Sequence, residues 1–346
     1  MRPVLIAAIA CLAAAAAPAQ DAPSLHRQVR KIMGTFCEIQ VYHTDAQLAE
    51  RAIAAALDEM QRVDRLLSNY DPASELSAMN RDAARGPFGA SDELFGFVQR
   101  CHDYFTATRG AFDPTVGPLV RAWGFFTPRP AKPPDAQIAV AKSVSGFARV
   151  RLDGAARTIS YAVPGLEIDP GGIGKGYAVD MAVGVLRRAG ILSALVSAGG
   201  STLYAIGHPP DRPAWTLGIG DPSDRERPVR VVNLRDASVS TSGVSEKFVV
   251  VDGHRYSHIF DPRSGDPVEG MCQVSVVAGN ATESDALTKA AFILPRDAVL
   301  ALAEPGRRIH VLRMEGACGP ERTVWITPWS AEVFTLQEPS SEPARP

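Results

Sequence analysis

Residues 168–177 read IDPGGIGKGY and lead into a helix predicted near 175–189, whose apolar positions recur on one face. The glycines let the backbone approach a ligand closely, and a helix N-terminus offers unpaired N–H groups and a positive dipole end to an anion. Lys175 adds a positive charge. Asp169 and Gly176 exclude a Walker A motif, which needs Gly and then Ser or Thr at these positions. By itself the stretch fits either an anion-binding loop or plain turn chemistry.

The elements around this stretch predict an α+β fold. Amphipathic helices are expected over 45–67, over 92–108 with Ser91 as N-cap, near 175–189 and near 284–303. Strand-like runs are short and numerous: 36–42, 147–152, 157–162, 192–197, 202–206, 215–219, 229–234, 248–252, 273–278 and 309–314. Strands and helices do not alternate strictly, so we expect a mostly antiparallel sheet with flanking helices instead of a doubly wound domain.

Three segments are predicted to lie outside regular elements. A polar loop is expected over 69–80, between the first two helices, and a Pro-rich loop over 127–134. The tail 337–346 is rich in Pro, Ser and Glu, a composition typical of disorder.

Composition excludes several classes of protein. The chain has 346 residues, enough for one large or two ordinary domains, with 46% hydrophobic and 21% charged residues, as in soluble globular proteins. Lys and Arg number 36 against 38 Asp and Glu, a net charge of −2. No overall positive field is therefore available to hold nucleic acid or an anionic membrane.

The N-terminus predicts export. Residues 1–19 combine a short positive start, an Ala-rich apolar run and a final Ala-Pro-Ala, the pattern of a signal peptide removed before Gln20. The run is short for a bilayer span, although an uncleaved inner-membrane anchor is the alternative. We expect a periplasmic protein with one domain over 20–336 and no transmembrane segment in the mature chain.

Four cysteines remain after residues 1–19 are removed: Cys37, Cys101, Cys272 and Cys318. They permit zero, one or two disulfides, and an oxidising compartment allows them to form. No C-x-x-C spacing is present, which argues against a thioredoxin-like or zinc-ribbon site. Cys101 falls on the apolar face of the predicted 92–108 helix, where it acts as a small apolar residue.

Two further segments carry candidate chemistry. Residues 256–267 (YSHIFDPRSGDP) place His258 beside an acid and an arginine, in a pattern that also fits a simple hairpin turn. A zinc site there is disfavoured, because no second cluster of ligands is nearby. Residues 283–290 (ESDALTKA) open a helix, where Asp285 either complements the helix dipole or offers oxygen to Mg²⁺. The chain has no G-x-S-x-G motif, so a serine esterase has little support.

Together these segments resemble the ApbE-type FAD:protein FMN transferases, over residues 32–328. The matching motifs, in chain order, are 33–35 (MGT), 68–70 (SNY), 74–77 (SELS), Asn80, 110–115 (GAFDPT), 169–180, 197–200 (SAGG), 240–243 (STSG) and 258–265. The resemblance implies an ApbE-like α+β fold. It also implies a transferase that attaches FMN through a phosphoester to a Thr of an exported, periplasm-facing redox protein.

The resemblance implies a set of site residues. Those expected to bind FAD are Met33, Tyr70, Ala111, Phe112, Asp113, Asp169, Lys175, His258 and Ile259. Mg²⁺ is expected at the carbonyl of Gly172 and at Asp285, with Thr288 as a further ligand. Lys175 and the loop N–H groups would hold the pyrophosphate. A Thr hydroxyl of the acceptor would attack the FMN phosphorus as AMP departs, with His258 assisting proton transfer or positioning.

Lys289 departs from the pattern that the resemblance implies, which has Thr four residues after the metal-binding Asp. Three interpretations are open: Thr288 or water completes the metal shell, the Lys ammonium replaces part of the metal charge, or activity is impaired. A lesser departure is Pro170, which follows Asp169 where the resemblance implies Leu. Two alternative functions use the same site, namely FAD hydrolysis to FMN and AMP, and flavin binding or delivery without catalysis.

Overall fold

The computed structural model describes residues 22–125, 131–224, 227–244, 248–251, 254–304, 306–319 and 321–336. The predicted signal peptide 1–19, the tail 337–346 and residues 127–130 of the Pro-rich loop lie outside these ranges. The α-helices of the described residues are α1 (Ala46–Leu67), α2 (Glu75–Asp82), α3 (Asp92–Ala107), α4 (Gly117–Ala122), α5 (Asp135–Ser143), α6 (Gly174–Arg188), α7 (Ala281–Ile293) and α8 (Arg296–Leu302).

Sixteen strands lie in the same ranges. They are β1 (Ser24–Ile32), β2 (Thr35–His43), β3 (Phe88–Gly89), β4 (Val150–Asp153), β5 (Thr158–Tyr161), β6 (Ala194–Ala198), β7 (Thr202–Ile206), β8 (Trp215–Gly220), β9 (Pro228–Leu234), β10 (Ala237–Gly243), β11 (Phe248–Val251), β12 (His254–Ser257), β13 (Met271–Ala278), β14 (His310–Glu315), β15 (Thr323–Ile326) and β16 (Phe334–Thr335).

One large sheet organises the fold. Its eight strands run in the order β1-β2-β6-β7-β10-β13-β14-β15, and every neighbouring pair is antiparallel. Smaller sheets are formed by β16-β9-β8, by β3-β5-β4 and by the hairpin β11-β12. The predicted α+β class with a mostly antiparallel sheet is confirmed.

Both faces of the large sheet are covered. Helices α1, α6 and α7 lie on one face, where the period of α1 buries Ile53, Leu57 and Met60 completely or nearly so. Strands β8, β9 and β16 cover part of the other face, around Trp215 and Phe334. All eight residues of β13 are therefore buried, as expected for a strand enclosed from both sides. Among the described residues no helix combines the length and apolar character needed to span a bilayer.

The structure adds elements that the sequence pattern did not indicate. The strands that were not predicted are β1, β3, β10, β12, β15 and β16. Helices α4 and α5 were not predicted either, and α2 replaces part of the expected 69–80 loop. The helix predicted over 284–303 is two helices, because Pro295 follows the end of α7 and serves as N-cap of α8. Residues 147–149 form a 3₁₀ turn before β4.

One disulfide is present among the described cysteines. Cys272 of β13 bonds to Cys318, which follows β14, across 46 positions of sequence. Cys37 and Cys101 are free and buried. Burial raises the pKa of the Cys37 thiol to about 11, and it also raises that of Cys101. Both thiols act as core residues.

Candidate active site

The 168–177 stretch forms a compact turn ahead of α6. Pro170–Gly172 make one 3₁₀ turn, and the Asp169 carboxylate caps it by accepting the Gly171 N–H at 2.7 Å. Helix α6 begins at Gly174, so its first N–H groups face this loop. The Asp169 N–H donates to the Pro114 carbonyl at 2.7 Å, which joins the loop to the 110–115 segment.

Asn80 fixes the residue before the loop. Its Oδ1 accepts the Ile168 N–H at 3.0 Å and the Tyr161 hydroxyl at 2.8 Å, while its Nδ2 donates to the Ile168 carbonyl at 3.0 Å. Asn80 is thus a positioning residue that holds Ile168 from both sides of its peptide backbone. The sequence motif contained Asn80, but no pattern in the sequence indicated this clamp.

Tyr70 stands at the edge of the loop with 76% of its surface exposed. The turn that carries it is held by Ser68, whose Oγ accepts the N–H groups of Tyr70 and Asp71 and whose carbonyl accepts the Ser74 and Ser77 hydroxyls. Partial desolvation and then the negative charge of nearby Asp169 raise the pKa of the Tyr70 phenol. Tyr70 and Asp169 therefore lie close enough for their charges to interact.

The 110–115 segment packs against the same loop. Ala111 and Phe112 are buried, and a Cβ built on Gly172 would lie 3.5 Å from the Phe112 ring. The Asp113 carboxylate accepts the N–H and hydroxyl of Thr115 and the N–H of Phe147. Burial raises the pKa of Asp113. Because the Asp113 carboxylate makes these contacts within the protein, it stabilises the turn. A ligand would contact other atoms of the 110–115 segment.

Lys175 points from the first turn of α6 toward the β6–β7 connection, where its Nζ donates to the Ser201 hydroxyl. Gly199 in that connection has φ +65°, and a Cβ there would lie 2.7 Å from Thr35 Oγ1. The MGT and SAGG motifs are therefore in contact. A pocket of about 360 Å³ opens beside them; among its lining residues are Gly199, Gly200, Ser201, Leu217, Thr241 and Gln273. Ser201 was not predicted as a site residue.

Met33 lies in the tight turn between β1 and β2. Its backbone adopts a left-handed φ of +53°, followed by Gly34 at +71°. The Met33 N–H donates to the Asp64 carboxylate of α1 at 3.0 Å. This bond ties the turn to α1.

Helices α6 and α7 cross in direct contact at Gly176. A Cβ on Gly176 would lie 2.2 Å from the Ala281 carbonyl oxygen and 2.8 Å from Asp285 Cβ, so only glycine fits. One turn further along α6, the Asp180 carboxylate accepts the N–H groups of Ala281 and Thr282 at 2.7 and 2.8 Å. Asp180 thereby holds the N-terminus of α7 against α6, a role that the i, i+4 spacing from Gly176 permits.

Asp285 is buried at this crossing, with 1% of its surface exposed. Its Oδ2 accepts the Gly176 N–H at 3.0 Å, and its Oδ1 forms an ion pair with Lys289 Nζ. The same ammonium donates to the Asp285 carbonyl at 3.1 Å. A Cβ on Gly172 would lie 3.7 Å from the Lys289 side chain. The structure therefore brings Gly172, Asp285 and Lys289 together.

Thr288 faces a different neighbour. Its hydroxyl donates to the Asp285 carbonyl at 2.7 Å and bonds to Ser242 of β10 at 2.8 Å. Across the described ranges no three His, Cys, Asp or Glu side chains cluster in a way that could hold a metal ion. One Asp285 oxygen is paired with an ammonium and the other with an N–H group. The residues present do not fit a resident Mg²⁺, because a divalent cation at Asp285 would meet the Lys289 charge.

His258 and Ile259 lie on a separate hairpin. Ile259 is buried, and its N–H donates to Ser257 Oγ at 3.0 Å. His258 is half-buried, with its ring edge-on to Phe125 at 6.5 Å between centroids. In the neighbouring turn the charged side chains pair with each other, since Asp261 accepts hydrogen bonds from the Arg263 guanidinium. Their roles toward FAD remain predictions.

Comparison with known proteins identifies this architecture. The ApbE family model matches residues 33–312. A FAD:protein FMN transferase of Klebsiella pneumoniae (strain 342) is 32% identical over 309 residues, covering 87% of this chain and 88% of that protein. One of Treponema pallidum (strain Nichols) is 33% identical over 282 residues, covering 76% and 77%. The crystal structure of the ApbE protein of Thermotoga maritima superposes with a TM-score of 0.80 at 29% identity, covering 91% of this chain and 100% of that one. The chain belongs to the ApbE family.

Proposed function

We propose that this enzyme is a FAD:protein FMN transferase. Membership of the transferase class follows from its relatives, which carry that activity in their names. The single observation that supports this activity in the chain itself is the turn at residues 169–176, where α6 begins at Gly174, Lys289 runs beside Gly172 and Lys175 extends from the first turn of α6 to Ser201. We propose that this turn binds an anion. A pyrophosphate is the part of FAD that such a turn suits.

The reaction we propose is a phosphoryl transfer. The oxygen of an acceptor Thr hydroxyl attacks the FMN phosphorus, the bond from that phosphorus to the bridging oxygen breaks, and AMP leaves. The hydroxyl proton is released, and His258 is the residue we assign to accept or orient it. The lysine ammonium groups and the loop N–H groups stabilise the charge that develops on the phosphoryl oxygens.

Mg²⁺ is implied by the resemblance, and when bound such an ion would neutralise pyrophosphate charge. Gly172, Asp285 and Thr288 were the predicted ligands. Their arrangement around Lys289 does not fit that ion, so no step of the proposed reaction uses it. The proposed activity itself needs only FAD, the acceptor and the residues above.

The acceptor and compartment are also proposals. We assign the enzyme to the periplasm and its acceptor to a periplasm-facing redox protein. Two observations support export: the signal-peptide pattern of residues 1–19, and the Cys272–Cys318 disulfide, since such bonds persist in oxidising compartments.

Product analysis tests the proposal. The purified enzyme is incubated with FAD and a Thr-containing acceptor domain, and the products are resolved by mass spectrometry. The matched control is the same acceptor with that Thr replaced by Val. We expect AMP and an FMN-bearing acceptor only where the Thr is present. Equal release of FMN and AMP without modified acceptor would indicate the hydrolase instead, and unchanged FAD would indicate a binding protein.

A further inference from the structure

We infer that Lys289 supplies an internal cation beside Asp285, so that this enzyme binds FAD without a divalent metal. The inference rests on the proposed FAD substrate and concerns how the site balances the pyrophosphate charge. It follows from where the chain places one ammonium group, at the position where the resemblance implies Thr.

The Lys289 ammonium has the contacts of a bound cation. It pairs with the Asp285 carboxylate and donates to the Asp285 backbone carbonyl oxygen 3.1 Å away, so two oxygens of one residue contact it. Carboxylate and carbonyl oxygens are the ligands that hard cations prefer. Lys289 keeps 20% of its side-chain surface exposed, whereas Asp285 keeps 2%. The ammonium therefore lies between a buried carboxylate and the accessible side of the site.

Asp285 requires this positive partner. A buried carboxylate is costly unless it is paired and hydrogen-bonded, and the Gly176 N–H satisfies only one of its oxygens. Since the second oxygen meets Lys289, the i, i+4 spacing on α7 holds the two charges together. The pair is formed within one helix and needs no ligand to assemble it.

The position of Lys289 also directs it toward the anion-binding turn. Its Cγ and Cε atoms would each lie 3.7 Å from a Cβ on Gly172, so the side chain runs along this turn. Lys175, in the first turn of α6, carries a second ammonium, which donates to the Ser201 hydroxyl. The Lys289 charge thus stands beside the turn itself, and a divalent cation added at Asp285 would be repelled by it.

Metal dependence of FAD binding tests the inference without any mutation. Binding of FAD to the full chain is measured by flavin fluorescence quenching in EDTA and in about 5 mM Mg²⁺. We expect dissociation constants within about twofold of each other, and no heat of Mg²⁺ binding to the free enzyme in calorimetry. A tenfold or greater weakening of FAD binding in EDTA would overturn the inference.

Three variants test whether the Lys289 ammonium is responsible for FAD binding without a divalent metal. Lys289→Arg keeps the charge, Lys289→Gln removes it at similar length, and Lys289→Thr introduces the residue that the resemblance implies. In EDTA we expect FAD affinity to fall less than about threefold for the Arg variant and at least tenfold for the other two. Mg²⁺ should restore affinity in Lys289→Thr. Unchanged FAD affinity of Lys289→Gln in EDTA would overturn the inference.

The outcomes separate this inference from the proposed function. FAD binding that requires Mg²⁺ overturns the role of Lys289 and leaves FMN transfer standing. Failure to bind FAD in either buffer, by a chain whose circular dichroism shows it folded, overturns both. If a variant fails to fold, the comparison of the two buffers on the unmodified enzyme still decides the inference.

Discussion

Asp285 and Lys289 depend on each other at the scale of single residues. Asp285→Ala leaves the ammonium without its carboxylate in a half-enclosed position. Breaking a fully buried pair costs about 3–5 kcal/mol. Since Lys289 retains some contact with water, we expect a loss of about 2 kcal/mol in the free energy of unfolding, measured by urea denaturation. FMN transfer should fall about 10²-fold, because the ammonium is no longer held in place. The exposed Asp297→Ala serves as control.

A double-mutant cycle isolates the pair. Removing both charges, in Asp285→Asn with Lys289→Gln, should cost less stability than the sum of the single changes, because neither charge is then left unpaired. Additive free energies of unfolding would show that the two side chains do not interact.

Cys37 gives a residue-level prediction about alkaline pH. Burial raises the pKa of its thiol to about 11, so the folded chain keeps a proton that the unfolded chain loses first. Its contribution to stability is therefore complete below the ordinary thiol pKa and is lost as the pH rises toward 11. At pH 8 we expect no alkylation of Cys37 by iodoacetamide in the folded protein and complete alkylation in urea, measured by mass spectrometry. Rapid labelling of the folded protein would contradict this.

At the scale of elements, the crossing of α6 and α7 depends on Gly176. A methyl group there would lie 2.2 Å from the Ala281 carbonyl oxygen, so Gly176→Ala must separate the helices. We expect a loss of about 1–3 kcal/mol in stability and weaker FAD binding. Gly96→Ala is the matched control, since Gly96 lies inside α3 with no atom within 4 Å of the added carbon. That change should raise stability by about 0.5–1 kcal/mol. Equal effects of the two changes on stability would contradict the close contact between α6 and α7 at Gly176.

Asn80 links two elements, α2 and the loop before α6. Asn80→Ala leaves the N–H and carbonyl groups of Ile168 without these partners and should cost about 1–3 kcal/mol. FAD affinity should fall as well, because the clamp positions Ile168 at the start of the 168–177 loop. The exposed Asn233→Ala should change stability by less than about 0.5 kcal/mol and leave FAD affinity unaltered. Titration calorimetry and urea denaturation measure both, and full affinity in Asn80→Ala would argue against the clamp.

Strong periodicity made some elements predictable. The apolar spacing of 45–67 predicted α1 almost to its ends, and the short strand-like run 202–206 predicted β7. Strand β10 was missed because its sequence, ASVSTSG, resembles a turn, whereas the hydroxyls of Ser238 and Ser240 are buried against Ser284 Oγ. Helix α2 was missed because eight residues among Ser and Asn show too little period.

The candidate site also has some features that local sequence predicted and others that it did not. The helix N-terminus after 168–177 and the positive charge of Lys175 were readable from local sequence. The i, i+4 spacing of Asp285 and Lys289 permitted a pair, but burial of Asp285 arises from the Gly176 crossing, which joins residues 109 positions apart. The bond from Lys175 to Ser201 and the clamp by Asn80 are also long-range contacts. No local pattern reports such contacts.

At the scale of the whole molecule, the disulfide joins β13 to the chain beyond β14. Because it closes a loop of 46 positions, the chain-entropy model gives a stabilisation of about 4 kcal/mol. We expect a reducing agent, or Cys272→Ser with Cys318→Ser, to lower the midpoint of urea denaturation. The double variant should not respond to the reducing agent. An unchanged midpoint in the reduced wild-type chain would show that the bond contributes nothing to stability.

The contact at Gly176 also bears on how a ligand enters. Because no side chain separates α6 from α7, we expect the turn before α6 and the Asp285–Lys289 pair to move together. A nucleotide then meets donors and charge already set in place and need not wait for two helices to close around it. Its capture should be governed by diffusion and by the field of the two lysines, so the association rate would fall with added salt.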